Sequence, residues 1–199
     1  MQKKQRRVGA SEDASRVGDT WTYVAIDAET KLVPCFLTGK RNVETTNTFI
    51  GDLASRLRYL RMCADAIGAA FEGVDYATIV KEYEAEAAGP GRYSPTKVTA
   101  TLKTPVFGAP VEELVSTSFV ERQNVTMRMS MRRFTRLTNG HSKKLENHGA
   151  AIALHFAHYN FVRVHSTLRA TPAMAAGLST TLWTMGELLD AARASNGAQ

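Results

Sequence analysis

The sequence has only two cysteines in 199 residues, Cys35 and Cys63, and neither belongs to a CxxC or Cys/His pair. Disulfide scaffolds and zinc knuckles both need closely spaced sets of such residues, so neither class is indicated. We predict both thiols to be small buried hydrophobic groups. The glycines show neither GxGxxG nor GxxxxGK spacing and no Ser/His/Asp constellation stands out, so nucleotide-binding loops and hydrolase triads are not supported.

Long hydrophobic runs are also missing. The longest apolar stretch, residues 150–156, is far shorter than the roughly 20 residues that a membrane-spanning helix needs. The first six residues, Met-Gln-Lys-Lys-Gln-Arg, do not resemble an apolar signal segment. We therefore expect a soluble, cytoplasmic protein with no membrane partner.

Acidic residues are scarce in one segment of the chain, and the net positive charge of the protein is concentrated there. Residues 120–170 carry a net charge of +7, whereas the whole chain carries +6 and the remainder is close to neutral. The basic residues in this segment are Arg122, Arg128, Arg132, Arg133, Arg136, Lys143, Lys144, Arg163 and Arg169. Such a concentration favours a polyanion partner, because guanidinium forks match phosphate geometry. A solvated basic surface is the alternative explanation.

The first half of the chain alternates between strand-like and helical patterns. Residues 20–27 and 31–39 are rich in β-branched and aromatic residues around a turn, which predicts a hairpin with Pro34 at an edge or bulge. Apolar spacing predicts a helix that starts at Asn42 or Thr45. The further predictions are a helix over 64–71, a short acidic helix over 74–87 and a strand over 97–103.

The second half is predicted to be helical. Thr117 or Ser118 is expected to cap a helix through Phe134, and a long helix is expected over residues 143–164. Pro172 and Thr184 are expected to open short terminal helices. We expect an α/β domain over residues 19–170, preceded by a disordered basic leader over 1–18 and followed by a helical tail over 171–199.

The helix that contains Glu121 has two faces. At helical spacing, Val120, Met127, Met131 and Phe134 form a core stripe, and Glu121, Arg128 and Arg132 form a second stripe at its rim. Spacing alone favours an ordinary explanation, because an acid near a helix N-terminus complements the helix dipole.

Four segments resemble one family. Residues 116–139, STSFVERQNVTMRMSMRRFTRLTN, closely resemble the glutamate helix of DDE-type transposases of the insertion sequence one family. Residues 18–27 (GDTWTYVAID), 142–148 (SKKLENH), and 159–169 with 171–174 (YNFVRVHSTLR and TPAM) are similar to the same family. Together these segments cover nearly the whole chain after the leader.

The resemblance implies a ribonuclease H-like (integrase-type) fold that acts in DNA transposition. In that family two Asp and one Glu hold Mg²⁺ or Mn²⁺ ions, which assist attack on a phosphodiester by water or a DNA 3′ hydroxyl. Glu121 matches the third acid. The implied partners are double-stranded DNA, as transposon ends and target, and further copies of the chain. When bound to DNA, the protein would be associated with the nucleoid.

The sequence departs from the family pattern at both aspartates. The resemblance places the first Asp upstream of residues 18–27, in an Asp-Glu-x-Trp-like context that is not found after Met1. It places the second at the end of a strand before residues 64–71, and that strand is expected to be missing here. Asp27 and Asp65 are the nearest substitutes, although a turn and a helix cap explain them without metal. Glu121 and Asp27 are the candidate metal ligands.

Two functional hypotheses follow. The chain is either a DDE transposase domain, incomplete and impaired in metal-dependent strand cleavage and transfer, or a non-catalytic DNA-binding or dimerising remnant of one. A remnant that does not fold stably is a third possibility, because an inner strand is missing. The candidate DNA contacts are the nine basic residues above and His165. His155 and His158 could share a helix face, but no nearby acid or cysteine completes a zinc set, which favours packing or phosphate contact.

Overall fold

The computed structural model describes residues 9, 18–57, 75–84, 97–135, 140, 142 and 144–196. These residues form a mixed α/β structure with two small antiparallel sheets and several helices. They fall into two compact units, one made of residues 1–53 and 119–199 and the other of residues 54–118. In the described part, no helix is both long enough and apolar enough to cross a membrane.

The predicted N-terminal hairpin is confirmed. Strand β1 (Trp21–Val24) pairs antiparallel with β2 (Phe36–Gly39), and within the described residues they form a two-stranded sheet. Beyond β1, Ala25 N–H donates to the Cys35 carbonyl and Asp27 N–H to the Leu32 carbonyl. These two bonds lie on either side of Pro34, which has no N–H to offer, so the regular ladder starts only after it.

Helix α1 (Val43–Leu57) begins where the sequence predicts. The Asn42 side-chain oxygen accepts a hydrogen bond from the Thr45 amide at 2.9 Å, which is the contact of an N-cap residue. On the core side of α1, Phe49 and Leu53 are buried, and the thiol of Cys35 is buried within 2.9 Å of the Asp52 carboxylate. The burial predicted for Cys35 is therefore confirmed. Cys63 and the helix predicted over residues 64–71 lie outside the described residues.

The acidic helix predicted over residues 74–87 is wrong. Residues Tyr76–Tyr83 form strand β3, which pairs antiparallel with β4 (Val98–Phe107). The segment YATIVKEY contains aromatic and β-branched residues, and pairing with β4 outweighs its weak helical spacing. The strand predicted over residues 97–103 is confirmed and extends further, to Phe107.

Helix α2 (Ser118–Ser130) and the turn after it carry the predicted core stripe, which is confirmed for three of its four residues but not for Val120. Met127 and Met131 are buried in a core formed with Val33 of the hairpin and with Ile152, Phe156 and Tyr159, and Phe134 packs against it. Met131 adopts an extended backbone, after which Arg132–Phe134 form one 3-10 turn, so the regular helix ends before Phe134. Gln123 is also buried, at 2% exposure, and was not predicted.

The long C-terminal helix is present but changes character near its end. Helix α3 (Leu145–Ala157) continues as a π-helical turn over His158–Val162. Two short helices follow, α4 (Pro172–Ala175) and α5 (Met185–Asn196). Their predicted starts are confirmed. Thr171 accepts a cap bond from the Met174 amide, while Thr184 and Glu187 bond each other reciprocally as a capping box.

Candidate polyanion-binding site

Three separate segments of the first unit contribute basic side chains that interact electrostatically. Lys31 lies at the turn of the hairpin, Arg122 lies just after the first turn of α2, and Arg163 and His165 follow the π-helical turn. The Lys31 ammonium is 3.9 Å from the centre of the Phe119 ring, which packs the hairpin turn on the start of α2. Lys31, Arg122 and Arg163 also act electrostatically on His165. We call these four residues the basic cluster.

The hairpin turn that carries Lys31 is shaped by Asp27. One oxygen of the Asp27 carboxylate accepts hydrogen bonds from the Thr30 amide at 2.7 Å and the Thr30 hydroxyl at 2.6 Å. The Lys31 amide donates to the Asp27 carbonyl, and Lys31 adopts the left-handed backbone region at φ 61°. Its ammonium also donates to the Ala28 carbonyl. Asp27 thus performs the structural role expected of an Asp at a turn.

Arg163 is followed, two residues later, by a closed turn that begins at His165. His165 and Ala170 form an isolated antiparallel bridge, and the Arg169 amide donates to the His165 carbonyl at 2.8 Å. Arg169 takes a positive φ of 52° to complete the turn. The Tyr159 ring meets the His165 imidazole edge-on at 6.0 Å. Arg169, another predicted DNA contact, therefore belongs to the same short turn as His165.

A buried amide joins the hairpin to the π-helical turn. The Asn160 side chain accepts a hydrogen bond from the Val33 amide at 3.1 Å and donates one to the Val33 carbonyl at 2.9 Å. Asn160 is 8% exposed and Val33 is 3% exposed, so both bonds are shielded from water. Val33 is two residues after Lys31, and Asn160 is three residues before Arg163. These two hydrogen bonds fix the segment that contains Lys31 relative to the segment that contains Arg163.

The electrostatics of the basic cluster favour an anion. Burial, followed by the charges of Arg163, Lys31 and Arg122, lowers the pKa of His165 below its usual value of 6.5. The imidazole is therefore mainly neutral at neutral pH, because burial and the neighbouring cations both disfavour its positively charged form. A bound phosphate would reverse this effect, since it would compensate the cations and favour the imidazolium.

The other predicted DNA contacts lie elsewhere or outside the described residues. Arg128, Arg132 and Lys144 are exposed. Arg133 donates to the Ser142 hydroxyl at 2.7 Å, and that hydroxyl lies 3.2 Å from a ring nitrogen of His148. Arg136 and Lys143 are not among the described residues.

Within the described part of the chain, the predicted catalytic acids do not belong to a group of three metal-ligating side chains. Glu121 is exposed in the first turn of α2, and Asp27 is engaged by Thr30. Among the described residues, no three His, Cys, Asp or Glu side chains form a group that could hold a metal ion. Asp65 lies outside those residues. The catalytic and metal-binding roles of these acids remain predictions.

Lys31 is the member of the basic cluster that sequence reasoning missed. It lies about 90 residues before Arg122 in a segment of balanced charge, so local charge counting does not single it out. The available signal was its place next to the predicted turn at residues 28–30, where a side chain can project from the hairpin. Comparison with models of protein families, with curated proteins and with solved structures finds no match to the chain.

Proposed function

We propose that this chain is a DNA-binding domain of the transposase type, which holds double-stranded DNA by its phosphates at the basic cluster. The observation that carries the proposal is that Lys31, Arg122 and Arg163, from three segments distant in sequence, all act electrostatically on His165, while Lys31 packs on Phe119 at the start of α2. The family resemblance of residues 116–139 and 159–169 supports DNA as the polyanion. In finer detail, we propose a ribonuclease H-like domain that lacks its first strand and a central strand.

Phosphate contact follows from the chemistry of the cluster. Arg122 and Arg163 can each present two parallel N–H donors to one phosphate, and Lys31 adds a compact charge. Each neutralised phosphate releases condensed counterions, which drives association and makes it dependent on salt. His165 adds a donor that becomes positively charged when phosphate is bound.

The family resemblance also implies that the bound DNA strand is cleaved. Mg²⁺ or Mn²⁺ would supply charge neutralisation on the attacking and leaving oxygens. The described residues alone do not fit such a site. The Asp27 carboxylate is hydrogen-bonded within its turn, and no three possible metal ligands form a group. We derive no cleavage step from them.

A substitution at Lys31 tests the proposal, since only the structure places this residue in the cluster. We expect Lys31→Ala to weaken binding of a short fluorescent duplex about five- to tenfold, the effect of losing one charge-assisted contact. Lys97→Ala is the matched control, because Lys97 is exposed in the second unit and belongs to no predicted contact. Equal affinities for the two variants would refute the assignment of the cluster.

Cleavage is tested separately on the same duplex. Purified protein is incubated with DNA carrying candidate transposon ends and Mg²⁺ or Mn²⁺, alongside the Glu121→Gln variant. If Glu121 is a catalytic acid, nicking by the wild-type protein is lost in the variant while duplex binding is retained. Nicking of equal extent in both removes Glu121 from the mechanism, and binding without nicking in either supports the non-catalytic alternative.

A further inference from the structure

An open cleft of about 350 Å³ lies next to the basic cluster and shares Arg163 with it. The cleft is formed by the end of α2, by α3, by the π-helical turn and by the start of α5. Apolar walls are provided by Met131, Leu154 and Met185 and by the ring of Tyr159. Its volume is at the lower end of the range of about 300–1,000 Å³ that small-molecule sites occupy.

One residue that lines the cleft has a polar atom whose hydrogen bonding the fold does not explain. The Nε2 atom of His155, whose ring lines the cleft, is buried and has no hydrogen-bond partner among the described residues. The ring stacks on Tyr159, with centroids 6.4 Å apart and an interplanar angle of 27°. A buried polar atom without a partner costs about 1–3 kcal/mol, and a ligand with a complementary edge would recover it.

The charges at the cleft are positive. Arg163 supplies this charge, and burial, followed by electrostatic effects of His158 and Arg163, lowers the pKa of His155. The His155 imidazole is therefore neutral at neutral pH, with one nitrogen that donates and one that accepts. A purely apolar ligand would leave Arg163 and His155 unused, whereas inorganic phosphate alone would leave the apolar walls unused.

A planar group with apolar faces, a polar edge and an attached anion matches all of these features. We propose that the cleft receives one unstacked nucleobase, against the His155 ring, with the phosphate of the same nucleotide at Arg163. The inference rests on the proposed DNA-binding function, because Arg163 belongs to both the cleft and the basic cluster. The nucleotide can come from an unpaired position of bound DNA or from a free mononucleotide, and the experiment separates these sources.

The test compares two duplexes that differ only by one unpaired adenosine. We expect the wild-type protein to bind the duplex with the unpaired nucleotide about fivefold tighter or more, the lower range of base stacking on an aromatic residue. Leu154→Trp fills the cleft and is expected to bring this ratio close to one. Leu145→Trp is the matched control, because both leucines are about half exposed on α3 and Leu145 does not line the cleft.

A second variant tests the polar edge. His155→Phe keeps a ring for stacking and removes both ring nitrogens, so we expect it to retain the preference for an unpaired nucleotide but to discriminate less between the four bases. Unchanged discrimination would assign no role to Nε2 and would overturn that part of the inference.

The possible outcomes distinguish this inference from the proposed function. If the wild-type protein binds both duplexes equally, the nucleobase site is refuted and phosphate binding is not affected. The same conclusion follows if Leu154→Trp still prefers the duplex with the unpaired nucleotide. If neither duplex binds, titration with deoxyadenosine monophosphate decides. If the mononucleotide binds and Leu154→Trp abolishes that binding, the nucleobase site is supported and the proposed DNA-binding function is refuted. If the mononucleotide does not bind, both are refuted.

Discussion

Replacing Asn160 tests whether one buried amide holds the basic segments together. Asn160→Ala removes both hydrogen bonds to Val33 and leaves a buried N–H and a buried carbonyl without partners. Each such group costs about 1–3 kcal/mol, so we expect the free energy of unfolding to fall by about 2–5 kcal/mol. Domains of this size are stable by about 5–15 kcal/mol, so the variant should remain folded at low temperature.

Urea denaturation followed by far-ultraviolet circular dichroism measures this loss, and native-state hydrogen exchange locates it. The Val33 amide should exchange faster in Asn160→Ala. In Asn160→Asp an acceptor for that amide is kept, but the donor to the carbonyl is lost and a carboxylate is placed in a buried site. Asn124→Ala is the matched control, because Asn124 is exposed on α2. An unfolding free energy within about 0.5 kcal/mol of the wild-type value, together with unchanged exchange at Val33, would refute the argument.

Two further predictions concern charge and packing. Because the pKa of His165 is lowered in the free protein and phosphate favours the imidazolium, DNA binding should take up a proton. The affinity should therefore rise as the pH falls from 8 to about 5.5, and His165→Gln should show a weaker dependence; equal pH profiles in fluorescence anisotropy would contradict this. A Cβ at Gly39 would lie 2.6 Å from Thr45 Cγ2, so Gly39→Ala should destabilise the fold by about 1–3 kcal/mol. In thermal unfolding, Gly39→Ala should destabilise the Thr45→Ala protein less than the wild-type protein. An equal loss of stability in both proteins would exclude the clash with Thr45 as its cause.

Local signals predicted much of the fold. The hairpin at β1 and β2, the Asn42 cap and the starts of α4 and α5 depend on turn chemistry and side-chain caps within a few residues, which a sequence displays directly. The error at Tyr76–Tyr83 has the opposite origin. Its conformation depends on pairing with β4, about 20 residues away, and pairing of this kind overrides a weak helical pattern.

The site was predictable only in part. Clustering of charge between residues 120 and 170 indicated Arg122 and Arg163, and His165 was predicted beside them; in the structure both arginines act electrostatically on His165. Lys31 joins them only through tertiary packing, which depends on the contact between Asn160 and Val33 across 127 residues of sequence. No periodic pattern reports such a contact, and the π-helical turn that presents Asn160 has no propensity signal of its own.

The salt dependence of DNA binding tests the central claim most directly. The equilibrium constant for a short duplex is measured between 50 and 300 mM salt for the wild-type protein and for the Arg122→Gln, Arg163→Gln double variant. If these guanidinium groups neutralise phosphates, the logarithmic slope should fall by about two, roughly one for each lost contact. An unchanged slope in a folded double variant would show that the basic cluster does not hold DNA.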